Sequence, residues 1–236
     1  RLPTEKAYGN QVSVMCQSFS EMGHRVEVWS PSRFNTVTGS LFEYYGVPPV
    51  FSHRIINCPE FSYLRKYLKR IAFYLDQVFF LYSLSKTKLP KNAVVYVRRP
   101  EVGWVFIRKG NRVVYECHEW MGRHAWFRLW SLKGVSRIVT TNSFIKAKFL
   151  ERGIDPDLFV VAPNGVAYET FATDDTKDAA IEKLNKKDIP FPVIPDTSIL
   201  LYTGNFKTMG EDKGISDILR SLTYITDTRV HFVAVG

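Results

Sequence analysis

The segment "RVVYECHEW" at 112–120 runs from apolar residues straight into an acid, a thiol, an imidazole and a second acid. Glu116, Cys117, His118 and Glu119 are the residue types that bind hydroxyls, move protons or attack carbon. Other apolar runs also end in polar residues: Arg98 and Arg99, Thr141 and Asn142, Asn164 and Gly165, and the stretch from Gly204 to Lys207. Spacing removes several chemistries. His118 and His124 are too far apart to share a helix face, so "HEWMGRH" is not a zinc-binding H-E-x-x-H pair. No G-x-G-x-x-G follows a strand-like run, and neither a phosphate-binding G-x-x-x-x-G-K-[ST] loop nor a G-x-S-x-G elbow occurs. Cys117 has no evident basic partner and reads as a packed thiol rather than a nucleophile.

Phosphate handling by backbone and lysine remains. Gly9 stands just before a helical pattern, and "GNFKTMGEDKGI" offers Lys207, Lys213 and Gly214, the last opening a second helix. Helix N-termini approached through glycine bind anions well. The plain alternative is that each glycine only makes a turn; two such loops weigh against it.

These residues need elements to hold them. A helical pattern across 10–22 ends at Gly23, a suitable C-terminal cap, before Val26, Val28 and Trp29. "AVVYV" at 93–97, "RVVYE" at 112–116, "RIVTT" at 137–141 and "LFVVA" at 158–162 read as strands. Between them lie the helical "EVGWVFIRK" and "FIKAKFLER", the latter capped by Ser143 and stopped by Gly153. This alternation predicts an α/β fold: a Rossmann-like parallel sheet with helices on both faces. In open sheets of this kind ligands bind beyond the carboxyl ends of the strands, where the polar residues stand. After Tyr168 comes a polar helical stretch, "DDTKDAAIEKLNKKD", and then the proline-rich "IPFPVIPD". The rhythm resumes with "SILLYT", a loop, "ISDILRSLTYI" and "VHFVAVG". The expected organisation is a domain over 1–170, a linker over 171–197 and the opening βαβ of a second domain over 198–236.

Three unpaired-looking cysteines without C-x-x-C spacing fit a reducing, cytoplasmic setting. No apolar run reaches the roughly 18 residues of a membrane span. The net charge is +9, and residues 60–110 hold eleven Lys and Arg against three acids. Such a segment attracts phosphate in nucleic acid, anionic lipid or substrate. No nucleic-acid recognition motif accompanies it, so no specific nucleic-acid partner is expected. Within 60–85, Phe61, Leu64, Leu68, Ile71, Leu75, Val78 and Tyr82 form one helical stripe, with Arg65, Lys66, Lys69 and Arg70 on other faces. Packing of this stripe into the core competes with contact at an anionic membrane surface, which would make the protein peripheral on a membrane.

Six segments, "PTEKAYGNQVSVMCQSFSEMGHRVEVWSP", "VVYVRRPE", "VVYECHEW", "RIVTTNSFIKAKFLERGI", "VVAPNGV" and "LLYTGNF…DKGISDIL", resemble in content and order the retaining glycosyltransferases of family 4. The resemblance spans essentially the whole chain. It implies a GT-B fold of two Rossmann-like domains facing a cleft, a nucleotide-diphosphate sugar as donor, an acceptor hydroxyl on a saccharide or lipid-linked saccharide, and no metal or other cofactor. His118 and Lys213 match the catalytic positions. Gly9, Gly204, Asn205, Lys207 and Gly214 fall on the donor side; Arg98, Glu119 and Asn164 fall on the acceptor side. Four departures stand out: Tyr8 in place of a first glycine, Glu119 for an aspartate, Ala167 for an aspartate, and Asn205 for an arginine. Measured against the family, the sequence lacks a first strand and most of the C-terminal domain, including a spaced pair of glutamates. It is therefore expected to be inactive alone. The competing expectation, favoured by Asn205 and Ala167, is a non-catalytic nucleotide-sugar or polyanion-binding protein of degenerate GT-B fold.

Overall fold

Runs rich in β-branched and aromatic residues pair side by side because their side chains pack on both faces of a pleated sheet. The computed structural model describes residues 1–120, 122, 125–166, 168, 172–186, 197–208 and 211–235. The side chains of Arg65, Lys69, Lys207, Thr208 and Glu211 lie outside that description. The chain divides into two compact units, Arg1–Gly165 and Val166–Gly236.

In the first unit β1 (Glu27–Pro31) pairs in parallel with β2 (Ser52–Ile56). A second parallel sheet runs β3 (Val94–Val97), β4 (Arg112–Cys117), β5 (Arg137–Thr140) and β6 (Phe159–Val161), in that order. Val97 lies opposite Tyr115, Cys117 opposite Thr140 and Thr140 opposite Val161, so the strands finish along one edge. Successive residues of β3 face opposite sides. Tyr96 meets Phe19 of α1 (Ala7–Glu21), with ring centroids 5.7 Å apart. Val97 lies under α4 (Pro100–Ile107), where a Cβ on Gly103 would stand only 3.2 Å from Val97 Cγ2 and 3.3 Å from Val113 Cγ1. Gly103 thus lets the helix lie flush on the strands. From α6 (Ser143–Leu150) the fully buried Phe149 packs between Trp120 and Phe159. One core joins these residues with Phe106, Tyr115 and Ile138. A smaller cluster around Cys16, Leu41, Val47 and Phe51 seats α2 (Leu41–Tyr45).

Gly23, at φ 88°, ends α1 as its sequence context predicts. Other details differ. The helix starts at Ala7, so Gly9 lies in its first turn rather than ahead of it. Asn142, not Ser143, caps α6, its side chain accepting from Ile145 N at 2.9 Å. "SHRII" forms β2 although its polar content disguised it; most of its residues are exposed or half-buried. The largest difference is α3 (Lys69–Lys86). Its buried positions include Ala72, Asp76 and Leu84, whereas Leu68, Ile71, Val78 and Tyr82 of the apolar stripe are exposed.

The second unit pairs β7 (Ser198–Thr203) in parallel with β10 (Val230–Val235). Between them come a two-residue hairpin, β8 (Lys207–Thr208) and β9 (Glu211–Asp212), and α8 (Ile215–Leu222). α7 (Lys177–Asn185), capped by Thr176, lies within the stretch read as a linker. "IPFPVIPD" lies outside the described residues. Among the described residues of this unit only Ile181 is buried.

Candidate active site

The end of β4 gathers charge where the sheet gives it shelter from water. Glu116 is only 5% exposed, and its carboxylate lies between two cationic or ionisable groups. Arg98, just past β3, brings Nε to 3.7 Å from Glu116 Oε2; His118 brings Nε2 to 3.0 Å from Oε1. The His118 approach is close but not aligned for hydrogen bonding. Among the described residues, Glu116 Oε2, His118 Nε2 and Thr140 Oγ1 are buried polar atoms without a hydrogen-bond partner. All three stand at the finishing ends of β4 and β5. Buried polar groups are almost always paired in folded proteins, so orphans concentrated at one edge make this edge the candidate site.

The surrounding groups hold this edge in place. Tyr96 has its hydroxyl pushed well above the usual tyrosine range by burial first and by the Glu116 charge second, so it stays neutral beneath the cluster. Cys117 is buried, its thiol raised by that burial and donating to Glu119 O at 3.1 Å. It is a packed thiol that fixes the turn, with the Glu119 side chain left exposed. Glu116 was visible in the sequence as part of the polar run but not as the residue linking Arg98 to His118. Its partner across the strands could be seen only once β3 and β4 were paired.

Gly9 and Asn164 belong to the same edge region through α1. Gln11 Nε2 donates to Asn164 Oδ1 at 2.8 Å, tying the loop after β6 to the first turns of the helix. Gly9 itself is buried, and a Cβ there would come within 1.9 Å of Tyr45 Oη. That hydroxyl accepts from Thr4 N at 2.7 Å and donates to Thr4 O at 2.8 Å. Close packing against Tyr45 therefore explains the glycine without a ligand.

In the second unit Gly204, Asn205, Lys207, Lys213 and Gly214 share one loop region between β7 and α8. Gly204 has φ 139° and donates its N–H to Val235 O at 2.8 Å. Tyr202 Oη holds Asn205 O at 3.0 Å, and Lys213 N donates to Phe206 O at 3.0 Å, with the Lys213 side chain exposed. Gly214 adopts φ 87° at the start of α8. The helix N-terminus is already satisfied internally. Asp212 Oδ1 accepts from Gly214 N at 2.6 Å and Ile215 N at 2.8 Å, and Oδ2 accepts from Ser216 Oγ at 2.6 Å. The Ser216 bond, with the backbone donors behind it, holds the Asp212 carboxyl below its usual range. The "D-K-G" spelling carried this capping signal and sequence reasoning passed over it. Ala167 and His124 lie outside the described residues. Among the described residues no group of His, Cys, Asp and Glu is arranged to hold a metal ion.

Comparison with known proteins follows the same lines. The model of the family described as Glycosyltransferase Family 4 matches residues 9–170. A crystal structure of Anabaena Alr3699/HepE in complex with UDP superposes with a TM-score of 0.56 at 10% identity, over 99% of this chain and 67% of HepE. HepE in complex with UDP and glucose also gives 0.56, at 12% identity over the same shares. A Listeria monocytogenes protein provisionally designated a UDP-N-acetylglucosamine 2-epimerase gives 0.55 at 12% identity, over 96% of this chain and 59% of that one. At these identities the structural likeness establishes the fold alone. No curated protein sequence matches the chain.

Proposed function

The chain belongs to glycosyltransferase family 4, and from that premise we propose that the protein moves a sugar from a nucleoside-diphosphate donor to an acceptor hydroxyl, with retention of anomeric configuration. The observation that carries the proposal is the set of orphaned buried atoms at the ends of β4 and β5, beside the Arg98–Glu116–His118 cluster. The His118 imidazole bonds a hydroxyl of the donor sugar, and Glu116, whose Oε1 stands 3.0 Å from Nε2, orients the ring. In the reaction the bond between the anomeric carbon and the diphosphate oxygen breaks, and its electron pair leaves with the nucleoside diphosphate. The acceptor oxygen attacks from the face that the diphosphate vacates and gives up its proton. The largest demand is stabilising charge on the departing diphosphate. Lys213, exposed on the loop before α8, supplies a cation for it, and Lys207 adds a second through its place in the sequence. The acceptor is a saccharide or lipid-linked saccharide, bounded by Arg98, Glu119 and Asn164.

HepE was crystallised with UDP and with UDP-glucose, which supports uridine nucleotides as the donors to try first. The test is release of UDP from UDP-sugars by the intact protein, in wild type and in His118→Ala and Lys213→Ala variants. Loss of a hydrogen bond to a charged group is worth about 1.5–3 kcal/mol, so turnover is expected to fall roughly tenfold to a hundredfold in each. Unchanged turnover in both variants would remove these residues from the site.

One observation favours a second reading, a nucleotide-sugar-binding protein without turnover. Asp212 occupies the N-terminus of α8, and Asn205 stands where the family resemblance calls for a cation. UDP binding with no UDP-sugar turnover under any acceptor would support it.

A further inference from the structure

The exposed face of α3 is not an ordinary polar face. Ile71, Tyr74, Val78 and Tyr82 step by three or four residues and share one side, with exposures from 51% to 63%. The buried side of the same helix carries Ala72, Asp76 and Leu84. Asp76 is pinned there because its Oδ1 accepts from Phe61 N at 2.9 Å and its backbone oxygen accepts from Arg33 at 2.7 Å. The helix thus turns its larger aromatic stripe outward.

Charge around the stripe has one sign. Across 61–92 the sequence holds seven Lys and Arg against a single acid, and that acid is the buried Asp76. Lys66, Arg70, Lys86 and Lys88 are exposed. Lys86 Nζ sits 4.2 Å from the Tyr82 ring centroid and also lines an open cleft of about 460 Å³ with Arg54, Asn57, Ser83, Thr87 and Lys88. The cleft therefore adjoins the end of the stripe and offers three cations and several hydrogen-bond donors. Among the described residues no helix is long and apolar enough to cross a membrane.

We propose that this face docks on an anionic phospholipid surface. Tyrosine favours the boundary between headgroups and acyl chains, where its ring is apolar and its hydroxyl wet. Ile71 and Val78 reach below that boundary, Lys66 and Arg70 meet lipid phosphates along it, and the cleft at Arg54, Lys86 and Lys88 takes a headgroup phosphate. A protein partner with the same complementarity would need an acidic rim around an apolar groove; a bilayer supplies both features over any length of helix. The inference does not depend on the transfer reaction.

Sedimentation of the intact protein with vesicles tests it. Binding is expected to vesicles of equal parts phosphatidylcholine and phosphatidylglycerol, to weaken with added salt, and to be far weaker on phosphatidylcholine alone. Arg70→Gln should lower partitioning about fivefold. The double change Tyr74→Ser with Val78→Ser should lower it roughly tenfold or more. Tyr224→Ser, an exposed tyrosine of the second unit, should leave binding unchanged. Circular dichroism would check that each variant is folded. No sedimentation with either vesicle, or equal binding regardless of lipid charge, would overturn the proposal. So would a dimer in size-exclusion chromatography that the Tyr74→Ser change dissociates, since the face would then belong to a second copy.

Discussion

Glu116 is a carboxyl group at a position 5% exposed, and among the described residues Arg98 and His118 are its ion-pair neighbours. A buried carboxylate of this kind is kept for what it orients more than for stability. Glu116→Gln retains the shape and removes the charge, so His118 loses the group that aims its ring. UDP-sugar turnover is expected to fall roughly tenfold with little change in donor binding; an equal loss in both would make the residue structural. The cysteines give a second prediction. Burial raises the Cys16 thiol to about 11 and also raises Cys117, while Cys58 is half-buried with Arg33 Nη1 at 3.0 Å from its sulfur. Iodoacetamide followed by mass spectrometry should label Cys58 first and leave Cys16 and Cys117 intact until unfolding. Early labelling of Cys117 would make it a reactive thiol. In the sequence, His118 was legible as a candidate because it ends a strand. Glu116 as its orienter was not, because the Arg98 on its other side comes from a neighbouring strand.

The elements show the same division between local and long-range signals. Gly23 and the four strands of the larger sheet follow from residues a few positions apart. The orientation of α3 does not. That helix is apolar on two sides, so periodicity selects the larger stripe, while the fold buries the side carrying Ala72 and Asp76. The decisive contact is with Arg33, forty-three positions away, and no local pattern encodes it. Where packing is dense, local and global signals agree. Phe149 is completely buried between Trp120 and Phe159, so Phe149→Ala should cost about 3–5 kcal/mol in urea denaturation. A loss under about 1 kcal/mol would show that α6 is not held by this ring.

The pairing of β1 with β2 adds a pH dependence. Burial holds the His53 imidazole below its ordinary 6.5, with Ser30 Oγ at 2.8 Å from Nε2. The unfolded chain therefore binds this proton more readily than the folded one. The contribution is fully present above pH 6.5 and declines as pH falls through the lowered folded value. Thermal melts across that window should show it, and His53→Gln should flatten it. Stability that rises on acidification there would contradict the assignment.

At the scale of the molecule, the two units differ in how much structure their own residues secure. The first has a contiguous core and an edge of orphaned polar atoms. The second, among its described residues, buries only Ile181 and presents a loop whose helix N-terminus is capped by Asp212. The fold class was legible because strand and helix alternate in sequence. The compact units divide after Gly165, beside the change of texture near Tyr168 where the polar stretch from 171 reads as a linker.

The proposed activity is sugar transfer from a nucleotide donor. The most direct measurement is nuclear magnetic resonance of the intact protein with a UDP-sugar isotopically labelled at the anomeric carbon, in the presence of saccharide and lipid-linked acceptors. The label is expected to leave the nucleotide and appear in a new glycosidic bond with its configuration retained, and His118→Ala is expected to suppress the change. A label that stays on a bound nucleotide, or stays there as an epimerised sugar, would contradict it.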